Sequence, residues 1–313
     1  MSNMENIIKK LHKCISLSSK VSNGENQFFG YFNNEKNIIP FNKDKIFEVI
    51  FKNVKTNESR VKRGYTGKDK GLLSRTFDIS DDRIKANYDV DENLWERLIL
   101  LANNDIYNQL CVGFSRESVD LVYSSDINRI KRESFIELKT SRNTNNPLYA
   151  FIELLKNYIL TLKTSKDHIL TKNLIKNKAI PADNPLGECK DIVELSLLAP
   201  KFYYSHFLYS DKIIEKYSKK PYFVKQFLDL INDFNKGNKF NNVKFNLYYI
   251  DLSENEMKKF QSSLGLSNQT EEKLNKNFKI KNSLIRKNWK QIKTFEDWKN
   301  LIYWLSSING FAP

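Results

Sequence analysis

Asp120, Glu137 and Lys139 stand where charged side chains are costly. The stretch SVDLVYSSDINRIKRESFIELKTS (118–141) holds two apolar runs, VDLVY and FIEL, each interrupted by an acid, with a lysine two residues after the second. Side chains alternate along a β-strand, so Glu137 and Lys139 share a face with Phe135, while Ile136 and Leu138 point the other way. A buried carboxylate costs several kcal/mol unless it is paired. Lys139 can compensate Glu137, but VDLVY offers Asp120 no neighbouring cation. If the two strands pair, Asp120 and Glu137 become adjacent like charges. A divalent cation relieves that repulsion, and hard carboxylate oxygens suit Mg²⁺, or Mn²⁺ as a substitute.

The ExK spacing alone carries no weight. It occurs four times, as ELK (137–139), ECK (188–190), EMK (256–258) and EEK (271–273). EMK and EEK lie in polar, helix-like or loop-like surroundings, and ECK in a Pro/Gly-rich connection. Only ELK sets both charges on one face of an apolar strand.

The pattern D-x16-E-x-K over two strands, with an acidic helix before and an amphipathic helix after, resembles the PD-(D/E)xK, restriction-endonuclease-like nuclease superfamily. The likeness covers roughly 90–165, and the later strands to about 252 follow in a compatible order. Val119 replaces the proline of the motif's name. The resemblance implies a metal-dependent phosphodiesterase. Asp120 and Glu137 would hold the cation with help from the Leu138 carbonyl, and Lys139 would orient or deprotonate water and offset charge on the phosphate. A further glutamate often comes from the preceding helix. Glu92 and Glu96 both qualify, and the helical wheel favours Glu92, about 90° from the apolar face against about 130° for Glu96. Each also reads as a first-turn acid favoured by the helix dipole. Glu153 and Tyr158, on the following helix, could position substrate or lie on an ordinary helix surface.

The elements that must carry these groups are α/β in pattern. DVDENLWERLILLANN (89–104) and NPLYAFIELLKNYILTLK (146–163) have broad apolar helical faces, Pro147 sitting in the first turn of the second. LCVGFSRESVDLVYSS reads as one or two strands, and SFIELKT, DIVELSLLAPKFYYS and VKFNLYYIDLS as three more, with helical PYFVKQFLDLINDFNK between the last two. In LLAPKFYYSHFLY the aromatics read as core rather than as a base-stacking platform. The expected fold is a restriction-endonuclease-like core, a central mixed sheet flanked by helices. It spans 90–260, between a basic region over 1–89 and a basic segment over 261–313. Residues 3–17 and TFEDWKNLIYWLSSI read as helices, and the polar SSLGLSNQTEEKLNKNFKIKN (262–282) as a linker or flexible arm.

Charge points to the partner. The net charge is +14, and the flanks carry it: 1–90 holds 17 Lys+Arg against 11 Asp+Glu, and 261–313 holds 9 against 4. Such an excess favours nucleic acid first and a membrane surface second. RVKRGYTGKDKGLLSR is not a P-loop, because Asp69 follows its glycine-lysine pair. It reads either as a solvated hairpin or as a phosphate-contact loop, with Arg60, Lys62, Arg63, Lys68, Lys70 and Arg75 supplying charge and Tyr65 stacking or inserting. Three scattered cysteines and three scattered histidines build neither a disulfide framework nor a zinc or His-rich metal site. No run of about 18 apolar residues occurs, so a soluble, cytoplasmic protein without a membrane partner is expected. The leading expectation is a Mg²⁺-dependent endonuclease of restriction or defence type, acting on double-stranded DNA and possible as a homodimer, the biological role resting on analogy of fold. The rivals are a ribonuclease or toxin-like effector and a non-catalytic nucleic-acid-binding protein with a degenerate nuclease fold.

Overall fold

A computed structural model describes residues 92–111, 118–140, 191–204, 221–236, 242–264 and 270–301, together with eight helical residues between Pro147 and Tyr158. The helix expected over 3–17, the basic loop with Arg60, Lys62, Arg63, Tyr65, Lys68, Lys70 and Arg75, and all three histidines lie outside the described residues.

Runs rich in Val, Ile and Leu, with short period-two polar interruptions, give the strands β1 (Ile106–Cys111), β2 (Ser118–Ile127), β3 (Ile130–Leu138), β4 (Ile192–Pro200) and β5 (Val243–Ile250). With the short β6 (Lys290–Ile292) they form one six-stranded sheet in chain order. β1, β2 and β3 are antiparallel, β3, β4 and β5 are parallel, and β6 returns antiparallel. The α/β class and mixed sheet agree with the sequence pattern. Asn128 and Arg129 make the β2–β3 turn, both at positive φ (54° and 64°), as a two-residue hairpin matched to strand twist requires. β4 stops at Pro200, which has no N–H to continue the ladder, and Lys201–Tyr204 turn helical where a strand was expected to run on.

Helices cover both faces. On one lies α1 (Glu92–Ala102), whose Trp95, Leu98 and Ile99 pack with Leu121, Ile136, Leu138, Leu198 and Ile250. On the other, Phe151 meets Phe227 and Phe234 of α2 (Pro221–Lys236) and Phe245 of β5, all edge-to-face. Trp298 closes this side, standing edge-on to Tyr204 and Phe227 and donating its indole N–H to the Tyr204 carbonyl (2.9 Å).

The expected linker over 262–282 is instead largely helical. α3 (Glu254–Leu264), α4 (Thr270–Lys276) and α5 (Phe278–Leu284) bury Met257, Phe260, Leu274, Ile280 and Leu284 in the α1 core. The polar composition concealed a few apolar anchors at helical spacing on short helices. Ser253 and Glu256 form a reciprocal capping box at α3, so the glutamate of the EMK triplet serves a helix start. Among the described residues after 261, Leu264, Leu274, Ile280, Leu284 and Trp289 belong to this core.

Candidate active site

Asp120 lies on β2 and Glu137 on β3. The β2–β3 register pairs Leu121 with Ile136, and one step further it sets Asp120 across from Glu137. Leu121 and Ile136 face α1, so alternation turns the two acids toward the side carrying Phe135 and Tyr158, which contact edge-to-face at 5.4 Å. Lys139 directly follows β3. Its amide extends the parallel ladder to the Leu198 carbonyl (2.9 Å), which fixes its direction, and its ammonium donates to Glu137 Oε1. All three are buried: Asp120 is 9 % exposed, Glu137 4 % and Lys139 4 %.

The hydrogen bonding is incomplete in an informative way. The Leu138 amide donates to Asp120 Oδ2 (2.8 Å), while Glu137 Oε2 is buried without a hydrogen-bond partner among the described residues. Leu138, whose carbonyl the resemblance assigned to the cation, contributes its N–H to this arrangement.

The charges act on one another. Burial and then the charge of Glu92 push the Asp120 carboxyl well above the usual range, Glu96 adding to the rise, while Lys139 and the Leu138 amide offset part of it. Burial and Asp120 raise Glu137 likewise, against the pull of Lys139, with Glu153 adding to the rise. Burial would lower Lys139, but Glu137, Asp120, Glu92 and Glu153 outweigh it, so its ammonium holds its proton more tightly than a free lysine.

Glu92, Glu96 and Glu153 therefore all lie within electrostatic reach of the central trio. Glu92 acts on both Asp120 and Lys139, whereas Glu96 acts on Asp120. The wheel set Glu96 further from the core, yet it is 2 % exposed against a half-buried Glu92. Every residue from Leu94 to Leu100 is buried, so α1 is covered on more than its apolar stripe and the wheel understates burial there. Glu153 carries more of the local field than its helix-surface pattern suggested. Tyr158 packs on Phe135.

The donor set fits a hard divalent cation in one respect and limits it in another. A buried, unpartnered carboxylate oxygen beside a second carboxylate is an oxygen site short of positive charge. Among the described residues no group of three or more His, Cys, Asp or Glu side chains is arranged to hold a metal. Magnesium commonly binds through one or two carboxylates plus water and substrate phosphate, which two acids satisfy. Comparison with known proteins gave no match among family models, curated proteins or solved structures.

Proposed function

We propose that the protein is a divalent-metal-dependent nuclease of the PD-(D/E)xK kind, hydrolysing phosphodiester bonds, with double-stranded DNA as its first substrate and restriction or defence as its setting. The observation that carries this reading is the Asp120–Glu137 cross-strand pair with the Lys139 ammonium on Glu137. A salt bridge between Glu137 and Lys139 explains two of the three charges. It leaves Asp120 and the bare Glu137 oxygen unexplained, and a cation accounts for both.

Asp120 and Glu137 would hold Mg²⁺ or Mn²⁺, which would polarise the scissile phosphate and make bound water more acidic. The protein's own groups divide the remaining tasks. The Leu138 amide fixes the Asp120 carboxylate through Oδ2. Lys139, held as a cation by the surrounding acids, donates to water or to a phosphate oxygen and offsets the negative charge that grows in the transition state. Glu92 and Glu96 of α1 act on Asp120, and Glu153 acts on Glu137, as charges around the pair rather than as further ligands.

A test incubates the purified protein with supercoiled plasmid under Mg²⁺, Mn²⁺ or EDTA, alongside Asp120→Ala and Lys139→Ala. Cleavage that needs metal and falls by about 10²–10⁴ in either variant is expected. Equal nicking by wild type and both variants would withdraw the assignment.

The buried ion pair supports a second reading, a nucleic-acid-binding protein in which Glu137 and Lys139 only complete the core. Intact binding and intact biological activity in Lys139→Ala would favour it. Parallel digests of duplex DNA, single strands and structured RNA separate a DNase from a ribonuclease.

A further inference from the structure

A cavity of about 640 Å³ opens apart from the carboxylate cluster, none of whose residues line it. Three lysines line it. Lys201 is the first residue after β4, Lys290 opens β6 and Lys279 stands on α5. Asp251, the first residue after β5, accepts from both Lys201 and Lys290, the latter at 2.7 Å, and Lys279 pairs with Glu256. Three ammonium groups thus face two carboxylates, and one carboxylate is divided between two lysines.

The position is informative. Lys139 bonds Leu198 on β4, and Leu198 pairs with Tyr248 on β5. Lys201 and Asp251 each follow three residues later on their own chains. The carboxylate cluster and the cavity therefore both lie toward the carboxyl end of the parallel strands, the cluster on the face away from α1 and the cavity against α3 and α5. Ligands of open α/β sheets gather in the crevice outside the carboxyl ends of the strands, where both features lie. Lys201 is unlike an ordinary surface lysine: its side chain is 12 % exposed and its ammonium is anchored. Such a cation is preorganised for an incoming anion.

We infer that this cavity seats the sugar–phosphate backbone of a polynucleotide away from the cleaved bond, with Lys201 and Lys290 on a phosphate and Asp251 holding them in place when the cavity is empty. The inference rests on the proposed nucleic-acid substrate but not on catalysis.

The test measures binding of the full chain to labelled duplex DNA, single-stranded DNA and RNA of equal length by fluorescence anisotropy, in EDTA, between about 50 and 200 mM salt. Lys290→Gln carries it, because that side chain is 55 % exposed and its loss should leave the fold intact. Lys201→Gln and Asp251→Asn accompany it, with thermal melts as the folding control. Losing one phosphate contact should lower the slope of log K against log salt by about 0.9 on duplex or about 0.7 on single strands, with binding several-fold weaker. Asp251→Asn releases both lysines and should bind several-fold tighter, the reverse of a merely structural role. The nucleic acid showing the largest loss identifies the backbone seated there.

An unchanged slope in Lys290→Gln, with Asp251→Asn no tighter than wild type, overturns the inference even if plasmid is still cut. A changed slope in a protein that cuts nothing upholds the cavity and removes the nuclease. Failure of the wild type to bind any polynucleotide removes both.

Discussion

Replacing Lys139 with methionine keeps most of the side-chain volume and deletes the ammonium that Glu137 holds. Both residues are about 4 % exposed. Removing one partner of a buried pair typically costs about 3–5 kcal/mol when the other charge is stranded. Glu137 has an escape, because burial and Asp120 already raise its carboxyl well above the usual range and it can take up a proton. The cost then depends on pH. Wild type shares this trend, but losing Lys139 raises the Glu137 carboxyl further, so above the wild-type value the variant holds a proton that wild type has shed and the gap widens as pH rises. One extra proton over three pH units is worth at most about 4 kcal/mol. Lys139→Met should therefore lie within about 1–2 kcal/mol of wild type at pH 5 and about 3–5 kcal/mol below it at pH 8. Urea unfolding at both pH values, followed by tryptophan fluorescence, measures this. The double variant Glu137→Gln/Lys139→Met should lie closer to wild type than Lys139→Met at pH 8, since only Asp120 then lacks its counter-charge and the Leu138 amide still holds it. An equal loss at pH 5 and pH 8, or less than about 1 kcal/mol at pH 8, would show that Lys139 is not the counter-ion of the buried acids.

Divalent cations should stabilise the protein by about 2.7 kcal/mol at a hundredfold excess over Kd, more at pH 8 than at pH 6, because the raised Asp120 and Glu137 carboxyls must shed protons to bind. Thermal melts in Mg²⁺ against EDTA should show this, and Asp120→Asn should abolish it. Asn103 donates from Nδ2 to the Ile99 and Leu284 carbonyls and accepts from the Arg286 amide, tying α1 to the end of α5. Asn103→Ala should cost about 1–3 kcal/mol by chemical denaturation, since it orphans buried backbone groups. Trp298→Ala should cost about 3–5 kcal/mol and flatten the near-UV dichroism of the Tyr204–Trp298 cluster, by emptying a fully enclosed site.

The sheet was legible where strands carry their own signature. β2 through β5 and α2 follow from β-branched runs, period-two alternation and one strongly amphipathic helix. The trio was legible for the opposite reason, as charges that violate the pattern of their strands. What escaped was what neighbours decide. Glu96 is buried by what packs around α1, which a wheel drawn on one helix cannot contain. α4 and α5 are short and mostly polar, and Leu274, Ile280 and Leu284 become a core only against Leu98 and Trp289. β6 is three residues long, below the length at which alternation can be read. The cavity joins residues from β4, β5, β6, α3 and α5, so no local window holds its pattern.

The two antiparallel acids sit on a hairpin that closes within a few residues, whereas the strands beside it arrive much later. At about 5–20 residues per second, synthesis from Leu138 to Trp298 takes on the order of 10 s. Early in that interval a growing chain on the ribosome can already have Asp120 opposite Glu137 without the β4 ladder that aims the following lysine, and throughout it the chain lacks the indole that seals the far side. A chain halted before β4 would thus expose the acid-bearing, unpaired margin of β3 to other nascent chains, the aggregation hazard of joining a local hairpin to distant parallel strands.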